Sequence, residues 1–163
     1  MEKQLLGYAA VAKRGIQMEL VVKHFSELTT LELMEIYSLR MAIFVVEQSC
    51  PYQDIDGWDS CAYHVYLRDE EGIRAYLRVL PPHSRYPEAS LGRVVSNKRR
   101  CGLATRVLQA GIAVAREKFG AKRLILGAQT YAQPLYEKVG FISLQDDYLE
   151  DGQPHVHMIL ELT

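Results

Sequence analysis

Several things are scarce in this 163-residue chain, and each scarcity excludes something. Its three cysteines, Cys50, Cys61 and Cys101, are odd in number, scattered and in no metal-like spacing, which excludes a disulfide framework and describes reduced thiols in a cytoplasm. No apolar run approaches the length of a membrane span. The opening segment MEKQLLGYAAVAKRGIQ has too short and interrupted an apolar part for a signal peptide. Neither charge is in excess: 19 Lys and Arg against 20 Asp and Glu leave a net charge of -1, which argues against a general nucleic-acid binder while allowing a local basic patch to hold a small anion. There is no repeat, linker or low-complexity tract. What remains is 48% apolar and 24% charged, the balance of a single globular domain.

Periodicity divides the chain into elements. Residues 18–25 alternate well enough for a first strand. Residues 1–17 have no clear period and read as a loosely attached arm or an over-called start, with 18–163 as the domain. Thr30 can cap a helix from Leu31, with Leu31, Met34, Leu39, Ile43 and Val46 along one side until Cys50-Pro51. The acidic YQDIDGWDS that follows is a loop. Residues 61–68 and 73–80 form a hairpin, and a further strand covers 89–96. Leu103, Val107, Leu108, Ile112 and Ala115 mark a strongly amphipathic helix closed by Phe119-Gly120. A short strand over 123–127, a short helix over 132–139 ended by Gly140, and strands over 141–145 and 155–162 complete the order. Runs of strands beside helices predict an α+β (mixed α/β) sheet domain.

The stretch KRRCGLATRVL, residues 98–108, stands between a strand and that amphipathic helix. Free backbone N–H groups and a partial positive charge converge at a helix start and bind phosphate readily. Gly102 lets the backbone approach an anion, Arg99 and Arg100 add charge-assisted donors, and Thr105 adds a hydroxyl. By itself the loop reads equally as an ordinary glycine-containing helix start.

Arg99-x-x-Gly102-x-Ala104 in this setting resembles the pyrophosphate motif of the GCN5-related N-acetyltransferases (GNAT). GAQTYAQPLYEKVGF, residues 127–141, resembles that family's downstream segment through Ala132, Tyr136, Gly140 and Phe141, with Gln129 where Asn is more usual. LRMAIFVVEQSCPYQDIDGWD, SLGRVVSN and YLEDGQPHVHM resemble the ElaA-like branch, so that the likeness runs over nearly all of residues 25–160.

This resemblance implies a twisted mixed sheet splayed between its fourth and fifth strands, with acetyl-CoA as co-substrate in the opening. Val94, Val95 and Ser96 would bond the pantetheine arm as an added strand. Arg99, Arg100, Cys101, Gly102, Leu103, Ala104 and Thr105 would hold the diphosphate, and Gln129, in the place of the usual Asn, would contact the cofactor. Tyr136 matches the tyrosine that protonates the leaving thiolate; packing of a short helix is its structural alternative. For the base, Glu88 lies at a strand start where some members place a carboxylate, and its parity matches Val94 and Ser96. Glu47, Asp54, Asp56 and Asp59 fall where acceptor loops lie, and either attract a cationic amine or form a solvated acidic loop. His64 and His155 are further acceptor contacts or proton relays, or structural. A water chain could replace a dedicated base.

His155-x-His157 places two imidazoles on one strand face, but no third ligand is evident, so no metal is expected. Cys101 beside arginines would have a lowered pKa yet belongs to the diphosphate loop, and Cys50 is better placed for an acyl-enzyme; direct attack in a ternary complex is the favoured route. Acyl-homoserine-lactone synthases share the early helix, and a catalytically idle CoA-binding domain is a second alternative. Detection of homoserine lactone would support the first, and binding of acetyl-CoA without turnover the second. The expected partner is a small-molecule or peptide amine, with no nucleic acid and no membrane, acting on a monomer or homodimer.

Overall fold

The computed structural model describes residues 17–97 and 102–163. The expectations for residues 1–16 and for Arg99, Arg100 and Cys101 lie outside the described residues.

Strand β1 (Glu19–His24) is followed by helix α1 (Thr30–Arg40), which runs on as a π-helical segment, Met41–Glu47. Next come β2 (Tyr63–Asp69), β3 (Gly72–Leu80) and β4 (Ala89–Ser96), then α2 (Leu103–Phe119) and β5 (Arg123–Gln129). A 3-10 turn leads into the short α3 (Gln133–Glu137), and β6 (Ile142–Ser143), β7 (Tyr148–Glu150) and β8 (Gln153–Glu161) end the chain. The sheet order is β1-β2-β3-β4-β5-β8-β6, with β7 paired to β8. Among the described residues no helix is long and apolar enough to cross a membrane.

Two properties of β4 position everything that follows. It is parallel to β5, yet the two pair only at Ala89↔Leu124 and Ser90↔Ile125; beyond Ser90 they part. It also bulges. Arg78 faces Gly92 while Tyr76 faces Val95, so β4 carries one residue more than β3 between those pairs. Arg93 takes the left-handed conformation there, with φ at 52°.

The α2 helix covers the β2–β4 face through Leu103, Val107, Leu108, Val114 and Ala115, which join Val65, Leu77, Leu124, Leu126 and Met158 in the main core. It lies so close to the sheet that a Cβ on Gly111 would come within 2.8 Å of the Leu77 side chain. A second cluster under α1 centres on Ile36, Tyr66, Ile73, Tyr76 and Val95.

The phase of α1 differs from the expectation. Leu31, Met34 and Val46 are exposed, and Ile36 and Arg40 face inward. An arginine occupies the position that an apolar count assigns to its neighbours, and the π-helical segment shifts the phase again beyond it. The cap is Thr29, one residue earlier than expected. Its hydroxyl accepts from the Glu32 N–H while Glu32 accepts from the Thr29 N–H. β7 was absent from the expected order.

Burial alone would raise Glu32, but hydrogen bonds from Tyr66, Thr29 and Lys23 bring it down to about 2. Asp59 is treated the same way: Arg40 and Arg78 hold it low against burial. A carboxylate whose folded pKa is depressed contributes stability above its unfolded value, ~4, and loses it as pH falls through the folded value. The melting temperature is therefore expected to hold from neutral pH down to pH ~4 and to fall steeply toward pH ~2. Thermal unfolding across that range checks this, and a flat profile down to pH ~2 would contradict it.

Candidate active site

Where β4 and β5 part, the sheet opens into a cleft of ≈ 790 Å³. One wall is the second half of β4, Leu91 to Ser96, and the other is β5 with the turn and helix after it, presenting Leu126, Gly127, Gln129, Ala132, Leu135 and Tyr136. The π-helical segment contributes Ile43, Phe44 and Glu47, and the chain after it Gln48 and Cys50. Arg85 and Tyr86 of the β3–β4 loop enter with Glu150, Asp151, Gln153 and His155 of the β7–β8 hairpin.

Most of the residues singled out from the sequence meet in this cleft. Val94, Val95, Ser96, Ala104, Gln129, Tyr136, Glu47, Asp56 and His155 all line it. Gly102 begins α2 with φ at 75°, and among the described residues no side chain caps that end and nothing lies within 4 Å of where its Cβ would be. The first-turn N–H groups of Leu103, Ala104 and Thr105 precede the first intrahelical acceptor bond, from Arg106 N–H to Gly102 O (3.1 Å). The Leu103 side chain is buried in the core, so only its backbone is available to a ligand. Tyr136 is 8% exposed and meets Phe141 edge-on. Burial raises its phenol above the usual tyrosine range, with Tyr131 adding to the effect, so it is protonated at neutral pH. Gln129 donates to Gln48 (3.1 Å), which in turn donates to the Tyr131 hydroxyl (3.3 Å), joining the two sides of the cleft.

Glu88, Asp54, His64 and Asp59 lie elsewhere. Glu88 is outside the cleft, at the closed end beside Arg123, next to the point where β4 meets β5. The extra residue in the bulge reverses the alternation of β4, which undoes the parity that linked Glu88 to Val94 and Ser96. Asp54 is sealed: its Oδ2 accepts from Arg40 Nε (2.9 Å), and its Oδ1 accepts from Tyr52 Oη (2.6 Å) and lies 2.8 Å from Arg93 Nε. His64 is buried on β2, where Tyr76 Oη bonds its Nδ1 (2.7 Å) and its Nε2 donates to the Asp59 carbonyl (3.0 Å). Burial lowers its pKa and keeps it neutral.

Asp54 and Asp59 belong to a largely buried network with Asp56 and three arginines at the base of the cleft. Arg40 bonds both Asp54 and Asp59 (2.9 and 2.8 Å), while Arg78 bonds Asp56 (2.6 and 3.0 Å) and Asp59 (3.0 Å). Arg93 reaches the Asp54 carbonyl (3.0 Å) and Asp56 (3.2 Å), and its guanidinium lies over the Tyr52 ring. Three arginines face three aspartates, so the network is neutral. It ties the DIDGWD loop to α1, β3 and the bulge of β4, and holds Arg93 in its left-handed conformation. Asp56 reaches the cleft, but Arg78 and Arg93 hold it as a low-pKa carboxylate against the upward push of burial. Its first role is to fix the wall.

Arg78, Arg85, Tyr86, Arg93, Glu150 and Asp151 line the cleft and were not expected there. One signal in the sequence could have located the last pair. Asp151-Gly152 is a two-residue hairpin turn with both φ values positive (49° and 74°), and Asp-Gly is a strong short hairpin signal. No group of three His, Cys, Asp or Glu able to hold a metal occurs among the described residues.

The sheet thus opens beside a parallel strand pair, with the start of α2 at one end and the buried Tyr136 within, and comparison with known proteins gives the family. The model of the acetyltransferase (GNAT) domain matches residues 44–162. The chain belongs to the GNAT acetyltransferase family. A UPF0039 protein of Schizosaccharomyces pombe is 40% identical over 149 residues, spanning 89% of this chain and 98% of that protein. The crystal structure of Escherichia coli ElaA is 34% identical, with a TM-score of 0.82 over 89% of this chain and 100% of ElaA. An acyl-CoA N-acyltransferase from Pseudomonas aeruginosa is 34% identical, with a TM-score of 0.81 over 87% of this chain and 99% of that one. The acyl-homoserine-lactone synthase LasI, 18% identical with a TM-score of 0.72 over 91% of this chain and 92% of its own, shares the fold alone.

Proposed function

We propose that this acyltransferase moves acetyl from acetyl-CoA to a primary amine by direct attack in a ternary complex. The observation that carries this reading is the parting of β4 from β5 after Ser90, which leaves Val94, Val95 and Ser96 on one wall and Tyr136 on the other. A pantetheine arm fits there as a strand-like filler, and the bare first turn of α2 suits a diphosphate. Arg99, Arg100 and Cys101 are assigned to the same diphosphate by motif, with Leu103, Ala104 and Thr105 contributing backbone donors.

Transfer needs the amine to lose a proton, the carbonyl to be polarised and the sulfur to leave. Tyr136, held protonated by burial, donates to the departing sulfur, whose thiol has an ordinary pKa of ~8.5. Glu47 and Asp56 on the opposite side favour a cationic acceptor. Thiol release from acetyl-CoA against an amine library tests the reading. Binding without turnover across the library would support an idle CoA-binding domain instead, and homoserine lactone among the products would support synthase chemistry.

Gly102 gives a sharper check. Among the described residues a Val there meets no neighbour within 4 Å, but its φ of 75° is one that β-branched residues avoid. The Gly102→Val variant is expected to remain folded with a rearranged loop, and its acetyl-CoA affinity to fall at least ~10-fold, the equivalent of ~1.4 kcal/mol. Unchanged affinity by calorimetry would remove the diphosphate from this loop.

A further inference from the structure

The reading above leaves the amine's proton without a destination, and the cleft supplies one. We propose that His155 is the general base of the transfer, with Glu150 as the carboxylate that stabilises its charged form; the proposal rests on the acetyl-transfer reading.

His155 stands on β8 opposite Gln129 of β5 and lines the cleft. Its Nδ1 lies 2.7 Å from the Gln153 carbonyl, which can only accept, so Nδ1 carries the hydrogen. Neutral His155 therefore presents a lone pair on Nε2. Glu150 Oε2 lies 3.5 Å from that nitrogen, close enough to stabilise the imidazolium once it forms. A carbonyl fixing one nitrogen, with a carboxylate near the other, orients a base and prepares it for charge. His155 is 8% exposed, so the ring is held in place.

The surroundings are polar and aromatic. From β7, the Tyr148 ring lies 5.6 Å from His155 and stacks at 4.4 Å on His157, whose Nδ1 is paired with Asp146 (2.6 Å). From the β3–β4 loop, Arg85 pairs with Glu150, and Tyr86 meets His157 edge-on. Asp151 adds a carboxylate at the hairpin turn. Glu150 is itself 32% exposed at its side chain and opens a way out to water.

The protons then balance. An alkylammonium acceptor gives its first proton to His155 Nε2, and the freed lone pair forms the C–N bond at the thioester carbon. The C–S bond breaks with its electron pair on sulfur, which takes a proton from Tyr136. The nitrogen of the adduct loses its second proton, the equivalent of which restores Tyr136, and the proton on His155 leaves past Glu150 to solvent. One thiol, one amide and one released proton result.

The test compares an acceptor that arrives charged with one that arrives neutral. Benzylamine is an ammonium ion at pH ~7 and needs a base before it can attack; aniline is neutral and does not. His155→Asn keeps a donor where Nδ1 sits, and so the bond to the Gln153 carbonyl, but removes the lone pair of Nε2. Its ratio of benzylamine to aniline turnover is expected to fall ~10²-fold or more. Glu150→Gln, which keeps a partner for Arg85, is expected to lower the same ratio ~10-fold through loss of the charge that stabilises the imidazolium. If wild-type protein turns over both amines and the ratio is unmoved in both variants, His155 is structural and the proposal falls alone. If wild-type protein releases no thiol with any of a panel of alkylamines and arylamines, the acetyl-transfer reading falls and takes this proposal with it.

Discussion

Tyr136→Phe is expected to lower kcat by ~10²–10⁴-fold while leaving acetyl-CoA affinity and thermal stability nearly unchanged. Phenylalanine keeps the ring, its edge-on contact with Phe141 and its place among buried apolar groups. The hydroxyl alone is lost. Because burial raises the Tyr136 pKa, the group is a donor rather than an anion across the neutral range, and donation to sulfur is the service it can perform. A purely structural tyrosine predicts the reverse pattern, with some stability lost and kcat intact. Steady-state kinetics with a working acceptor, together with thermal unfolding on the same preparation, separates the two. Near-normal kcat with chemistry shown to be rate-limiting would rule out the role.

Arg40→Met is expected to destabilise the fold by ~3–5 kcal/mol, because it leaves Asp54 and Asp59 buried with one counter-charge fewer. For a domain of this size that corresponds to a fall in Tm on the order of 10 °C. The damage should extend to the cleft. Asp54 also holds Arg93, and Arg93 is the left-handed residue that shapes the bulge of β4. Urea unfolding measures the first effect, and acetyl-CoA calorimetry on the folded fraction the second. A loss below ~1 kcal/mol would place this network with weak surface pairs and defeat the argument.

The sequence exposed the frame of this molecule more fully than the interior of its site. Strand β4 and helix α2 were legible to within a residue, because alternation and 3.6-residue periodicity are strong there and Gly120 marks the stop. Tyr136, Val94 to Ser96 and Gln129 could be grouped only through family likeness, and the cleft brings them together. The inward face of α1 was not legible. Pattern reading assigns arginine to water, and Arg40 is buried by partners 14 and 19 residues away, a separation that local periodicity does not register. Glu88 was misplaced for a related reason: a single extra residue in β4 inverts the alternation, and the one mark of a bulge in SLGRVVSN is Gly92, an isolated glycine in a strand, which was not used. Glu150 and His155 meet because a two-residue turn folds β7 onto β8, and that turn does carry its own mark in Asp151-Gly152.

The parting of β4 from β5 also has a consequence for the protein when it stands without a partner in solution. Among the described residues no strand pairs with the β5-facing side of β4 beyond Ser90, so the eight-stranded sheet carries an edge in its interior. Strand edges invite pairing with foreign chains. Here the left-handed kink at Arg93 breaks the straight run such a strand would need. The kink that shapes the cleft is thus also a device of the kind that blunts a strand edge.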